Sequence, residues 1–226
     1  MKPLIGITKP QSGGWVQNIA IKIAILISGG KPINLTPLNP RYDLKIDGLV
    51  LSGGTDIYPG HYQSLESKEN YPYDISRDLM ELRWLKAADE KRIPTLCICR
   101  GAQLLNIYFG GNLIFDIKKF FKETDYPNST WGKLVFRKQA YVISGKLKKI
   151  LKQSPIKINS LHSQAIATLG KNLKRTMIES NGITQGVEHS SHPYLLGVQF
   201  HPEFLIHRRE IRKIFRVLVL KASQTV

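Results

Sequence analysis

The sequence predicts an α/β fold: a mostly parallel central sheet flanked by helices, with an added antiparallel strand region. Three observations predict it. Short apolar runs alternate with helix-periodic stretches through the first half, as in a doubly wound sheet. Glycine pairs and prolines punctuate the junctions (Gly29-Gly30, Pro37, Gly53-Gly54, Gly110-Gly111). The second half then changes to a succession of strands with few helices between them.

The elements follow in order. "PLIGIT" (3–8) reads as a short apolar strand. Residues 17–28 read as a helix ended by Gly29-Gly30, and "KPINLTP" (31–37) as a strand stopped by its proline. In "DGLVLSGG" (47–54), the run Leu49, Val50, Leu51 predicts a strand buried on both faces. Residues 76–92 read as a helix with Ser76 as N-cap, Asp78 in the first turn and Lys91-Arg92 at its end. "PTLCIC" (94–99) is a further buried strand, and "RGAQLLNIYF" (100–109) a helix that stops at Gly110-Gly111. Strands follow at 133–143, 155–160, 175–180, 184–189 and 195–200. Residues 203–222 read as a closing basic amphipathic helix, with Ile206, Ile211, Ile214, Phe215, Leu218 and Val219 on its apolar stripe. No internal repeat and no linker rich in Pro, Gly or Ser interrupts the chain, so residues 1–226 are expected to form one domain.

Composition narrows the function classes. The 226 residues are 42% hydrophobic and 22% charged, enough for a full core. No apolar run reaches membrane-spanning length, and "MKPLIGITKP" is too short for a signal-peptide core, so a cytoplasmic protein with no membrane partner is expected. The net charge of +16 is uneven: residues 1–113 carry 13 Lys+Arg against 10 Asp+Glu, whereas 114–226 carry 20 against 7. Those cations fall in separate amphipathic pieces with no interleaved aromatic platform. A solvated face is therefore favoured over a nucleic-acid surface.

The chain has two cysteines, Cys97 and Cys99. A metal clip would need a second ligand pair that the chain lacks. A disulfide across one residue would be strained. In "LCICRGAQ" a buried strand runs into Cys99, then Arg100-Gly101, then a helix. That is the layout of a nucleophile elbow, in which the residues two before and two after the nucleophile must be small. It would lift the Cys99 sulfur to a helix N-terminus, where dipole and free N–H groups favour a thiolate and an oxyanion. A buried, inert cysteine fits the same pattern. A nucleophile needs a base with an orienting group. Of the six histidines, His201 in "LLGVQFHPE" stands at a strand end, two residues before Glu203, whose carboxylate could fix its tautomer. Gly53 and Gly54 end another strand and could turn backbone N–H groups toward a ligand.

"PTLCICRGAQLLNIYFGGNL", "LSGGTDIYP", "INSLHSQAI" and "GVQFHPE" resemble class I glutamine amidotransferases, and within them the γ-glutamyl hydrolase-like branch. The opening "PLIGIT", "SGGKPINLTP" and "RDLMEL" (77–82) fit that branch, and the match runs from Pro3 to about His207 in the expected order. The resemblance implies a flavodoxin-like fold with Cys99 as nucleophile, His201 as general base and Glu203 as its orienting acid. It also implies Gly54 and Arg100 as backbone donors of the oxyanion hole. Gly53 and Gln103 would lie against the glutamyl head group, and His162 and Gln164 of "SLHSQ" near the pocket. The Arg77-Asp78 pair coincides with a helix-opening motif. No metal and no organic cofactor is required. The implied activity is hydrolysis of a small-molecule γ-glutamyl amide through a glutamyl thioester, and relatives suggest a homodimer. Two competing readings are a glutaminase subunit that passes ammonia to a synthase partner, and a non-catalytic binding protein on the same fold. The absence of a fused synthase and the presence of "RDLMEL" and "SLHSQ" favour the hydrolase. The chain departs from the family at Cys97, where Gly or Ala is usual, and in a compressed stretch between Phe115 and Lys133.

Overall fold

Strand β1 (Leu4–Thr8) sits between β2 (Lys31–Leu35) and β3 (Gly48–Leu51), and all three run parallel. The computed structural model describes residues 1–62, 64, 67, 69–121, 137–159 and 162–224. β4 (Thr95–Ile98) and β11 (Leu195–Val198) continue the parallel part beyond β3. β10 (Thr184–His189), β9 (Leu173–Glu179), β6 (Lys138–Val142) and β7 (Ile156–Ile158) then add antiparallel strands. The resulting order is β2-β1-β3-β4-β11-β10-β9-β6-β7. The expected parallel sheet with an antiparallel extension is therefore present. A short antiparallel ribbon, β5 (Leu113–Ile114) with β8 (Ala165–Ile166), lies apart from it.

Helices α1 (Trp15–Ile27), α2 (Ile75–Glu90), α3 (Arg100–Tyr108), α4 (Ile117–Phe120), α5 (Gly145–Leu151) and α6 (Arg209–Ala222) flank the strands, with short 3₁₀ turns over Pro59–Tyr62 and Pro202–Leu205. The apolar residues sort into two layers, one on each face of the sheet. One unites β-strand residues such as Ile5, Val50 and Leu96 with Ile21 and Ile25 of α1 and Ile214, Phe215 and Leu218 of α6. The other unites Leu49, Leu51 and Cys97 with Trp84 and Leu85 of α2 and Leu104 and Leu105 of α3. β3, β4 and β11 are buried at every position, which explains their lack of polar alternation.

Three expectations need correction. The N-cap of α2 is Asp74, whose carboxylate accepts the Arg77 N–H at 3.1 Å; Ser76 lies inside the helix. The C-terminal helix begins at Arg209. Pro202–Leu205 form a separate 3₁₀ turn, because the chain must bend after the strand before α6 can lie across the sheet. The predicted stripe of α6 is buried as expected, with Ile206 packed against it from outside the helix. The strand expected over 133–143 is seen over Lys138–Val142, and residues 133–136 lie outside the described residues.

α1 carries apolar residues on both its buried and its exposed faces. Asn18, Ile21, Ala24 and Ile25 face the core, while Trp15, Ile19, Ile23 and Ile27 form an exposed stripe. The glycine after the expected elbow turn is needed for a reason that only the packing reveals. A Cβ on Gly101 would stand 2.6 Å from the Leu51 carbonyl oxygen, so α3 packs directly on the end of β3. Gly101→Ala is expected to lower stability by about 1–3 kcal/mol. Urea denaturation reads this as a lower midpoint, and an unchanged midpoint would refute the close packing.

Candidate active site

The C-terminal ends of β3, β4 and β11 converge, as expected of a site in an open α/β sheet. β4 delivers Cys99. Its φ of 51° and ψ of −105° place a non-glycine residue in a strained conformation between strand and helix. The strain changes which way the side chain faces. Cys97 lies in the layer with α2 and α3, and Ile98 in the other; strict alternation would return Cys99 to the first. The turn instead leaves Cys99 beside Ile98's layer, 7% exposed, at the N-terminus of α3. Both cysteines are free thiols, and burial pushes Cys97 well above the ordinary thiol range, keeping it protonated.

His201 stands three residues beyond β11, the strand paired in parallel with β4. Its imidazole is near enough to the Cys99 sulfur for that sulfur to raise its pKa. On the other side, Nδ1 lies 2.7 Å from Glu203 Oε1. The expected pairing is present, but the 3₁₀ turn that begins at Pro202 brings the two together rather than an extended chain. Burial alone would lower the pKa of His201; the Glu203 carboxylate and the Cys99 sulfur overcome it and hold the imidazolium well above its ordinary value.

Three amides that no sequence signal marks hold this chain of contacts in place. Asn159 grips the His201 backbone from both sides: its Nδ2 donates to the His201 carbonyl at 3.0 Å, and its Oδ1 accepts the His201 N–H at 3.0 Å. Gln17 of α1 donates from Nε2 to Glu203 Oε1 at 2.8 Å. That nitrogen is also 3.1 Å from His201 Nδ1. With Nδ1–H and Gln17 both donating to Oε1, the carboxylate is held and the His201 tautomer is set, leaving Nε2 for the sulfur. Gln199 donates to Cys99 Sγ at 3.6 Å.

Gly53 and Gly54 follow β3. A Cβ on Gly53 would stand 2.8 Å from His201 Cε1 and 2.6 Å from Gln17 Nε2. A Cβ on Gly54 would collide with the Arg77 guanidinium. Among the described residues, neither the Gly54 N–H nor the Arg100 N–H donates to a protein acceptor. A cavity of about 550 Å³ opens against Gln17, Gly53, Gly54 and Tyr73.

Gln103 lies one turn into α3, buried, its amide nitrogen donating to the Gln164 carbonyl at 3.0 Å and to Gln199 Oε1 at 3.2 Å. The Gln164 side chain donates to the Tyr62 hydroxyl at 3.2 Å, and Gln164 Oε1 has no partner among the described residues. His162 Nδ1 donates to the Gln164 carbonyl at 2.7 Å, and its Nε2 faces Gln185 Nε2 at 3.1 Å. Gln103, His162 and Gln164 therefore join one buried network with Gln185 and Gln199, which reaches Cys99 through Gln199, whereas Gly53 lines the cavity. Ser160 and Leu161 of "SLHSQ", and residues 122–133 of the compressed stretch, lie outside the described residues. Also among the described residues, no group of three His, Cys, Asp or Glu side chains is arranged to hold a metal ion, and no helix is long and apolar enough to cross a membrane.

Burial pushes His162 down to about 4, against the Gln164 carbonyl bond, which raises it. A histidine with a folded pKa below its unfolded value of about 6.5 costs stability as pH falls between those values. His162 is therefore expected to remove about 3 kcal/mol of stability between pH 7 and pH 4. His192, also buried and pushed to about 4, acts in the same direction. His162→Gln should flatten the acid limb of a denaturation-against-pH curve, and an unaltered limb would contradict the assignment.

Comparison with known proteins decides the family. The profile of the family described as peptidase C26 matches residues 4–203. The chain belongs to the peptidase C26 family. This C26 chain is 37% identical over 205 residues to a protein of Schizosaccharomyces pombe provisionally named a glutamine amidotransferase, covering 88% of this chain and 80% of that protein. It is 30% identical over 196 residues to the γ-glutamyl-γ-aminobutyrate hydrolase of Escherichia coli K12, covering 80% and 76%. Among solved structures, a protein from Thermoplasma acidophilum, provisionally described as a GMP synthase subunit, superposes with a TM-score of 0.72 at 19% identity, covering 99% of this chain and 96% of that one. The C26 chain thus has the class I glutamine amidotransferase fold and is a hydrolase of the glutamine-amidotransferase type.

Proposed function

We propose that this C26 protein hydrolyses γ-glutamyl amides of small molecules through a glutamyl thioester on Cys99. The observation that carries the reading is His201, held by Glu203 at 2.7 Å, beside a Cys99 that stands at a strained strand-to-helix turn. Cys99 Sγ, its proton already held on His201 Nε2, attacks the γ-carbonyl carbon. The oxyanion forms against the N–H groups of Gly54 and Arg100, each worth roughly 3 kcal/mol of barrier. Collapse expels the amine, which receives the proton from His201. Water, deprotonated by His201, then attacks the thioester carbonyl, and glutamate leaves as the thiol is restored. Gln103, Gln164 and His162 back the glutamyl side of the pocket. The amides of Gln103 and Gln164 are suited to the zwitterionic head of glutamate.

Assay of the purified protein alone on a panel of γ-glutamyl amides tests the reading. Release of glutamate without any partner is expected. Silence until a synthase partner is added would replace it with the ammonia-supplying function, and silence throughout would refute an enzymatic role.

A further inference from the structure

Four charged side chains lie buried directly beneath the proposed oxyanion donors. Arg77, Asp78 and Glu81 share one face of α2, and Arg100 begins α3; each is at most 1% exposed. Two cations face two anions, so the cluster is neutral as a whole, as burial requires. Glu81 joins both cations: Oε1 accepts from Arg77 Nε at 2.8 Å, and Oε2 from Arg100 Nη1. Arg100 Nη2 pairs with Asp78 Oδ1. Asp78 Oδ2 accepts the Tyr58 N–H at 3.1 Å. Thr8 closes the ring, donating from Oγ1 to Glu81 Oε1 at 2.6 Å, while Ser52 Oγ donates to the Thr8 carbonyl at 2.6 Å.

The remaining arm of Arg77 points at the loop after β3. Its Nη2 donates to the Gly53 carbonyl at 2.9 Å, the Ser52 carbonyl at 3.1 Å and Ser52 Oγ at 3.0 Å. A trans peptide is planar, with C=O and N–H opposed. Fixing the Gly53 oxygen on Arg77 therefore aims the N–H of the same peptide, that of Gly54, away from the cluster. The positive charge held against that oxygen also makes the N–H a better donor. Arg100 supplies the other donor from its own backbone while its side chain is held by Asp78 and Glu81.

We propose that the Arg77–Glu81–Arg100–Asp78 cluster is a clamp that aims both oxyanion donors, with Arg77 the positioning residue for the Gly54 N–H. The proposal rests on the hydrolase reading above. It predicts a loss confined to the transition state, because Arg77, although it lines the cavity, gives its hydrogen bonds to Glu81, to Ser52 and to the Gly53 carbonyl.

Arg77→Met and Arg77→Lys test it, by steady-state kinetics on a γ-glutamyl amide and by the rate of Cys99 alkylation with iodoacetamide, which needs no oxyanion hole. Arg77→Met is expected to lower kcat about 100-fold, with KM within threefold and alkylation within twofold of wild type. Arg77→Lys keeps the charge and the fold, but one ammonium cannot span the carbonyls and Glu81, so kcat should fall about 10-fold. Unchanged kcat in Arg77→Lys, a change in KM alone, or alkylation falling in step with kcat would overturn the clamp. If the wild-type protein cleaves no γ-glutamyl amide, the hydrolase reading fails separately. The clamp is then judged by amide hydrogen exchange over residues 51–56: faster exchange in Arg77→Lys supports it, and unchanged exchange overturns it.

Discussion

Cys99→Ala is expected to abolish hydrolysis of γ-glutamyl amides, lowering kcat by about 10⁵-fold or more. The expectation follows from geometry. Cys99 is the residue that the β4–α3 turn rotates out of strand alternation, and its sulfur is the atom that His201 and Gln199 both reach. Cys97 cannot substitute for it, being wholly buried on the other side of the sheet and held in the thiol form. Alanine adopts the positive φ at no greater cost than cysteine, so the fold should survive. Thermal denaturation within a few degrees of wild type, together with loss of glutamate release, is the expected pair of results. Retained turnover in a folded Cys99→Ala protein would remove Cys99 as nucleophile.

Glu203→Gln is expected to have the next largest effect, a fall in kcat of about 10³- to 10⁴-fold with little change in KM. Glu203 Oε1 accepts both from His201 Nδ1 and from Gln17 Nε2. Glutamine at 203 could still offer one oxygen to both donors, but it carries no charge and puts an N–H₂ group where Oε2 stood. It also removes the carboxylate that holds the imidazolium above its ordinary value. The base then loses its stabilised charged form. The pH–rate profile separates this from a packing defect: the His201 limb should move to lower pH. Both a wild-type kcat and an unmoved limb would argue against the role of Glu203.

The parts of the site that were legible in the sequence are local ones. The elbow is a strand, a turn and a helix within a dozen residues, and His201 and Glu203 are two positions apart. The two glycines after β3 also mark their own turn. What was hidden depends on long-range contacts. Gln17 meets Glu203 across 186 positions, and Gln199 meets Cys99 across 100. An amide on an apolar helix gives no hint of a partner so distant. The charged face of α2 was hidden for a different reason. Arg77, Asp78 and Glu81 have the spacing of a solvated helical face, and only the arrival of Arg100 from α3 makes their burial affordable. Ser76 was the natural cap by residue type, yet Asp74 took that position because the chain enters α2 two residues earlier. Pro202 and Glu203 suit a first helical turn by residue type, yet α6 starts only at Arg209, because the contact of Glu203 with His201 uses that turn to close the site.

The central claim is a covalent glutamyl thioester on Cys99. Acid quenching during turnover of a γ-glutamyl amide, followed by mass spectrometry of the Cys99 peptide, tests it most directly. The expected result is a mass increase of one glutamyl acyl group on Cys99, released by hydroxylamine and absent from Cys97 and from the Cys99→Ala protein. Turnover with an unmodified Cys99 peptide at every quench time, or the acyl group on another residue, would contradict it.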